Sequence, residues 1–320
     1  MMKLNELKQQ TNLGVFSGVF RLTGRIAAFD EEGVPYLKLR LSCCHADHVA
    51  LVDLESTGVP EQIGHLELLE VVGDIHPGEK GDYPVLSSIK KAGQQTIEAL
   101  PALHTLPRAY CPAPSSLDLL VKTVRSFESM HLQNFVSRVL ERKGKLEVFL
   151  NAPASLNYHH SYRGGLLDHS LEVAKNAVSM MQLTEPDAPR LLKETCFIAG
   201  LLHDIGKTYT YDADGRPTRS FRLCEHDDLT LEACAFGLAD LDQCEPEIAA
   251  TLRHIWTCAS SGARYGSPAA LTLARYVRDA DGQSAMSDNQ RRAFRGRAFA
   301  GFGRVGNNIY WMPSVNPGRA

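Results

Sequence analysis

Three short stretches of this 320-residue chain carry side chains that could do chemistry. In Cys196-Phe197-Ile198-Ala199-Gly200-Leu201-Leu202-His203-Asp204-Ile205-Gly206-Lys207, residues Phe197, Leu201 and Asp204 recur at i, i+4 and i+7. Helical periodicity puts Asp204 on an apolar face, where a carboxylate is costly unless it is paired or bound to a cation. His203 sits beside it, Gly206 can end the helix, and Lys207 lies at the exit. In Gly164-Gly165-Leu166-Leu167-Asp168-His169-Ser170-Leu171-Glu172-Val173-Ala174, the apolar stripe is Leu167, Leu171 and Ala174, continued by Val178 and Met181. His169 lies roughly 200° around the helix from that stripe, so it is either solvated or directed into a second, polar contact. The third stretch, Ala270, Ala274, Val277 and Asp281, again ends an apolar face in a carboxylate. Asp279 falls off that face, four residues after Arg275, where a surface ion pair satisfies it. Asp204 and Asp281 therefore need buried partners, and Asp279 does not.

Helices must hold these side chains, and the sequence changes period before they begin. Residues 15 to 92 read as about five strands. Leu37, Leu39 and Leu41 alternate with Tyr36, Lys38 and Arg40; earlier, Phe20, Leu22 and Ile26 alternate with Arg21, Thr23 and Arg25. Five short strands in under ~100 residues suit a small barrel of the OB type. Residues 97–116 contain Pro101, Pro107, Pro112 and Pro114 and have a linker composition. From Leu117 the period is helical, through Leu120, Val121, Val124, Phe127 and Phe135, with Ser115 or Ser116 available as a cap. The tail from Ser287 to Ala320 holds Arg291, Arg292, Arg295, Arg297 and Arg304 among Phe294, Phe299 and Phe302, and Asp288 is its only acid. Such a mixture suits either a grip on nucleic acid or a solvated terminus. The expected fold is thus α+β and multidomain. It comprises an OB-type barrel over 1–96, a linker over 97–116, an all-α domain over 117–286 and a basic-aromatic tail over 287–320.

Composition narrows the function classes. Hydrophobic residues make up 44 % and charged residues 22 %, an ordinary globular mix. No apolar run approaches the ~20 residues that cross a bilayer, and the N-terminus lacks an apolar signal core, so a cytoplasmic protein without a membrane partner is expected. The formal charge of −3 makes any nucleic-acid site local rather than global. None of the eight cysteines forms a Cys-x-x-Cys, so reduced thiols are expected.

The order His169, then His203-Asp204, then Asp281 resembles the ligand order of HD-domain metal-dependent phosphohydrolases. The resemblance covers about residues 150 to 286 and includes Ala280-Asp281-Gly282-Gln283-Ser284-Ala285 as the closing stretch. Pro153-Ala154-Ser155 and His159-His160 are similar to the HD domain of TraI-type conjugative-transfer proteins. The barrel-then-HD order resembles YhaM-type 3′–5′ exoribonucleases, which carry a His pair at positions that resemble Ala259 and Ser260 of this chain. The resemblance implies that His169, His203, Asp204 and Asp281 hold a divalent ion, for which Mn, Fe, Zn or Mg suits an imidazole–carboxylate set. It makes His226 and His254 candidates for a second metal or for phosphate. Asp204 would orient a metal-bound water, and Lys207 would offset charge on phosphate. His159, His160 and Arg163 would line the substrate mouth.

The leading expectation is a metal-dependent nuclease acting on single-stranded RNA or DNA, resembling a 3′–5′ exonuclease. The barrel would grip the strand through Arg21, Arg25, Tyr36, Lys38 and Arg40. Two alternatives stand beside it. One is a non-catalytic or weakly catalytic DNA-binding accessory of a conjugative element, in keeping with Ala259 and Ser260. The other is a small-nucleotide phosphohydrolase, which leaves the barrel without an obvious task.

Overall fold

The computed structural model describes residues 12–54, 57–60, 62–78, 81–259, 266–296 and 300–314. The chain divides into two compact units, Met1–Ser126 with Leu140–Leu146, and Phe127–Val139 with Glu147–Ala320. Among the described residues no helix is long and apolar enough to cross a membrane. All eight cysteines are free thiols.

The first unit is built on β1 (Gly14–Phe29), β2 (Pro35–Ser42), β3 (Asp47–Asp53), β4 (Leu68–His76) and β5 (Tyr83–Lys91). They close into a barrel in the order β1-β2-β3-β5-β4, with β3 and β5 parallel and the other pairs antiparallel. Closure removes the exposed strand edges that invite mispairing. The period-two leucines of β2 fill the interior, with Leu39 and Leu41 fully buried among Phe16, Phe20, Leu22, Val52 and Leu69. At 16 residues β1 serves two partners: Gly14–Arg21 pairs with β4, and Arg21–Phe29 with β2.

A register shift between Leu22 and Gly24 bends β1 as it passes from one partner to the other. It also reverses which side chains share a face. Beyond the shift Arg25 lies opposite the inward Leu39, and Ile26 lies opposite Lys38. The strict alternation expected through β1 therefore fails at Thr23, and Arg25 does not share a face with Lys38 and Arg40.

Two other expected strand-gripping residues are corrected by burial. Arg21 is 5 % exposed. Its guanidinium donates to the carbonyls of Thr105, Leu66 and Glu141 and to Thr105 Oγ1, all at 2.7–3.0 Å. Tyr36 is buried beside Leu51 and Val85, and the Lys38 ammonium stands 5.7 Å above its ring. Neither offers a free surface to a base or phosphate. Lys38 is half-buried and Arg40 exposed, so those two remain on the outer face of the barrel.

The proline-rich stretch is packed rather than extended. Leu103 and Leu106 are fully buried, and Thr105 is the residue Arg21 holds. It carries the short helix α1 (Gln94–Glu98) before it and leads into α2 (Pro114–Arg125). Pro114 itself opens α2 at a position where its missing N–H costs nothing, and no side chain caps it, so Ser115 and Ser116 lie inside the first turn.

The second unit is helical: α3 (Met130–Leu140), α4 (Leu146–Asn151), α5 (Gly165–Thr184), α6 (Arg190–Leu202), α7 (Lys207–Thr210), α8 (Ser220–Leu223), α9 (His226–Cys244), α10 (Pro246–Thr257) and α11 (Thr272–Ala293). Helix α11 runs past the expected boundary at residue 286. A hairpin of β6 (Gly301–Val305) and β7 (Asn308–Met312) follows it. Of the tail residues singled out above, Arg297 and Phe299 lie outside the described residues.

Removing the Arg21 side chain takes its donors from two buried carbonyls, Leu66 and Thr105, and from the part-buried carbonyl of Glu141. Arg21→Ala should destabilise the first unit by about 3 kcal/mol, read as a lower midpoint in urea. An unchanged midpoint would show that the guanidinium network carries no stability.

Candidate metal centre

Helices α5, α6 and α11 pack so that a cluster forms among them, in which His169 and Asp204 are buried and Asp281 is partly exposed. Close approach is built into the backbone: a Cβ on Gly200 of α6 would fall 2.8 Å from Ala174 Cα of α5. Gly206, in the turn after α6, is as tightly constrained. A Cβ there would meet the carbonyl oxygen of His226, which opens α9. These contacts explain glycine at both positions and bring His226 up to the Asp204 turn.

His169 on α5 is fully buried, which selects the polar contact over the solvated reading. Its Nε2 lies 3.3 Å from Asp204 Oδ2 and 3.2 Å from Asp281 Oδ1. His203 Nε2 lies 3.4 Å and 3.6 Å from the same two oxygens. Both Nε2 atoms are buried without a hydrogen-bond partner. Each Nε2 thus stands 3.2–3.6 Å from one oxygen of both carboxylates, which suits a shared cation better than pairwise bonds; His169, His203 and Asp281 form one metal-capable cluster, and Asp204 belongs to a neighbouring one. Ligands ~2.1 Å from an ion are separated by about 3.0–3.4 Å. Asp279 is exposed and belongs to none of the metal-capable clusters among the described residues.

The other ring nitrogens are tied down. His203 Nδ1 donates to the Gly200 carbonyl at 2.7 Å, which leaves the Nε2 lone pair of the neutral ring for a ligand. His169 Nδ1 is 3.1 Å from Ser284 Oγ, on α11 one turn past Asp281. The Thr230 hydroxyl donates to the His203 carbonyl and fixes the turn from the α9 side.

Asp204 is 3 % exposed. Lys207 Nζ donates to its Oδ2 at 2.6 Å, and His226 Nε2 lies 3.1 Å from its Oδ1. Burial opposes its ionisation, but Lys207, His203 and His169 outweigh burial and hold the carboxyl well below the usual range. Burial also opposes charge on His203, yet Asp204 and Asp281 raise it to about 10. Asp281 is held down by His169 and His203 against its own desolvation. For His226, burial works against the charged ring and Asp204 overcomes it, so its pKa is raised.

The remaining expected residues separate. Besides His169 with His203 and Asp281, two further metal-capable clusters lie among the described residues: His226 with Asp204 and Asp227, and His159 with His160 and His169. His254 belongs to none among the described residues, and its Nε2 accepts the Ala270 amide at 2.9 Å. His159 is half-buried, its ring 4.7 Å from that of His169 and its Nδ1 buried without a partner. Burial lowers its pKa to about 4, with His169 and Lys207 adding to the effect. His160 is 2 % exposed, bonds Glu172 through Nε2 and donates its amide to Asp288, and its ring lies 5.2 Å from that of His169 with Nδ1 buried and without a partner. Arg163 is exposed and its Nε donates to Asn151 Oδ1. Sequence reasoning missed Ser284, Asp227 and Glu172. Ser284, at i+3 from Asp281, was within reach of helical spacing; the other two depend on tertiary packing.

Comparison with known proteins adds to this geometry. Residues 166–286 match the family model of the HD domain. Residues 114–215 match the TraI_2 model, described as "Putative helicase". The chain is 24 % identical to a 3′–5′ exoribonuclease YhaM of Bacillus licheniformis over 246 residues, 74 % of this chain and 73 % of the relative. It is 26 % identical to YhaM of Bacillus subtilis over 250 residues, with the same shares. A 61-residue segment, 19 % of this chain, is 46 % identical to dihydroneopterin 2′,3′-cyclic phosphate phosphodiesterase of Methanocaldococcus jannaschii and spans 24 % of that protein's length. The HD-domain match and the exoribonuclease relatives support a metal-dependent phosphohydrolase.

Within the stretch that matches the HD-domain model, Ala259 is tied into the backbone. Its amide donates to the Ser267 carbonyl at 2.7 Å, and its own carbonyl accepts Arg278. Ser260 lies outside the described residues.

Two outcomes follow from the ring geometry. Ser284→Ala frees the His169 ring and should weaken Mn²⁺ binding by about 10–100-fold, measured by calorimetric titration; equal affinity would remove Ser284 from the site's support. Without an ion, His203 keeps its proton up to about pH 10. Because its folded pKa is raised, that contribution to stability is full below the ordinary value near 6.5 and disappears as pH rises through about 10. A metal must displace this proton, so affinity should climb by up to about tenfold per pH unit between pH 6 and 8. A pH-independent affinity would contradict it.

Proposed function

We propose that this chain is a metal-dependent phosphodiesterase that shortens single-stranded nucleic acid, with RNA the favoured substrate and a 3′ end the favoured start. One observation carries the reading: the Nε2 atoms of His169 and His203 each stand 3.2–3.6 Å from Asp204 Oδ2 and from Asp281 Oδ1. They do so in a chain whose first unit is a closed five-strand barrel. We read that barrel, with its order β1-β2-β3-β5-β4, as OB-type, an architecture that commonly holds single strands. The named activity of the exoribonuclease relatives supports RNA.

The four residues would hold one divalent ion, with Mn, Fe, Zn and Mg all compatible with imidazole and carboxylate donors. Such an ion, when bound, supplies an acidified water and a Lewis acid for a phosphate oxygen. The protein's own groups do the rest. Asp204 has both oxygens engaged, one toward His169 and His203 and the other toward His226, so its orientation is fixed in the absence of substrate. Lys207 places its ammonium 2.6 Å from Asp204 Oδ2, where it would meet negative charge gathering on a phosphate held there. His226 and Asp227 are placed for a second ion or for the phosphate itself. His159, kept neutral by burial, would face the substrate beside the His169 ring. On the barrel, Lys38 and Arg40 keep the role of phosphate contacts.

The test is digestion of an end-labelled 20-mer RNA by the full chain with Mn²⁺, beside metal analysis of the purified protein. Progressive shortening is expected, and Asp204→Ala should lose bound metal and hydrolysis together. Hydrolysis retained in that variant would refute the mechanism. Metal bound without any cleavage of polymer would favour the accessory reading. Cleavage confined to mononucleotides would favour a small-nucleotide phosphohydrolase.

A further inference from the structure

The C-terminal hairpin is the part of the HD-containing unit that the proposed chemistry leaves without a task. Its cross-strand pairs put Phe302 opposite Trp311 and Arg304 opposite Ile309. In a two-stranded ribbon, directly opposed residues share a face. All four are exposed, Phe302 at 71 % and Trp311 at 54 %, and the two rings lie 4.8 Å apart. The intervening positions point the other way: Gly303 is buried, and a Cβ on it would fall 2.7 Å from the Ala293 carbonyl and 3.0 Å from the Phe294 ring. The hairpin is therefore seated on the end of α11, with its aromatic face toward solvent.

Charge distinguishes this face from an ordinary apolar patch. Residues 289–320 contain Arg291, Arg292, Arg295, Arg297, Arg304 and Arg319 and no acid, in a chain whose net charge is −3. A cationic segment carrying paired, exposed rings complements a polyanion with flat bases, in which phosphates meet arginine and bases stack on aromatics. Position agrees. The hairpin is seated at Ala293, and Asp281 of the metal centre is on the same helix about 18 Å away at 1.5 Å per residue. Asp281, Ser284, Asp288 and Arg291 follow i, i+3, i+7 and i+10, so one helix face runs from the centre toward the hairpin. Its members contact the centre's own supports: Ser284 meets His169, Asp288 accepts the His160 amide, and Arg291 reaches Glu172.

We propose that β6–β7 is a stacking platform for single-stranded nucleic acid, on which Phe302 and Trp311 hold bases and Arg304 holds a phosphate. The strand it binds is the substrate of the proposed function, and the assignment rests on that reading for its biological sense. The platform is separable from hydrolysis, because none of its residues belongs to the metal centre.

The test uses the full chain with Mn²⁺ and a cleavage-resistant phosphorothioate 20-mer, read by fluorescence anisotropy. Phe302→Ala with Trp311→Ala should weaken binding by about tenfold or more, while turnover of a small chromogenic phosphodiester stays at the wild-type level. Phe302→Tyr with Trp311→Phe should bind like the wild type. Leucine at both positions should bind as poorly as alanine, since it keeps apolar bulk but has no π-face. The chain has two tryptophans, so the part of its fluorescence that oligonucleotide quenches should vanish in Trp311→Phe. Unchanged affinity of the alanine pair, or full rescue by leucine, would overturn the assignment. So would a defect seen only with phosphatidylglycerol vesicles, or wild-type protein that binds no oligonucleotide. If the wild type binds by this pattern yet cleaves no RNA, the platform stands and the nuclease reading fails. If it cleaves RNA while the hairpin variants bind normally, the platform alone fails.

Discussion

The second unit is organised around one buried carboxylate. Asp204 is almost wholly removed from water, and an ion of that size left uncompensated would cost several kcal/mol. Its surroundings answer that cost from every side: Lys207 from one turn along, His203 from the preceding residue, His169 from α5 and His226 from α9. These groups come from separate elements, so they reach Asp204 only if α5, α6 and α9 approach closely. That requirement explains glycine at 200 and at 206, where any larger residue would push the backbones apart. The site and the packing of the unit are one constraint.

A buried cluster of this kind leaves a distinct trace in sequence. Asp204 and Asp281 were legible because a carboxylate interrupts an apolar helical face, and chance rarely leaves two such interruptions unpaired. His169 was only half legible. Periodicity showed that it stood away from the apolar stripe, but α5 is buried on more than one side, and the second side becomes visible only when α11 is packed against it. The contacts of His160 are hidden in sequence for a related reason. Its positive φ and its bonds to Glu172 and Asp288 make it an anchor for the loop that carries His159, and none of those partners is near it in sequence. His254, equally histidine and equally helical, turned out to spend its Nε2 on a backbone amide.

The barrel shows the same division between local and non-local information. Strand positions followed from alternation, and the inward leucines of β2 lie where period two puts them. What alternation cannot carry is a register shift. The single irregularity near Thr23 exchanges the faces of Arg25 and Ile26, and the sequence there contains nothing except Gly24 to mark it. Arg21 was misjudged because an arginine on a strand is usually solvated. Here three carbonyls from distant segments, Leu66, Thr105 and Glu141, converge on it and make it the clasp that holds the proline-rich stretch. That stretch looked like a linker because proline spoils helical and strand periodicity alike. Proline content reports the absence of regular structure, not the absence of packing, and fully buried Leu103 and Leu106 separate the two.

Helix α11 continues past residue 286, where the helical pattern of the sequence fades. Past Val277 its buried positions are Ala280, Ser284, Asp288, Asn289 and Ala293, a set with almost no apolar stripe. An amphipathic reading needs leucines and valines, so the pattern faded although the helix continued. The helix persists because its inward face is satisfied by hydrogen bonds to the His169 ring and the His160 loop. Polar contacts of this type fix rotation and register more tightly than an apolar stripe does, since a shift of one residue would leave several buried groups without partners at once. Such rigidity suits a helix that supplies Asp281 to a metal centre at one level and seats a hairpin at its end. The price in sequence is a helix that looks like a tail.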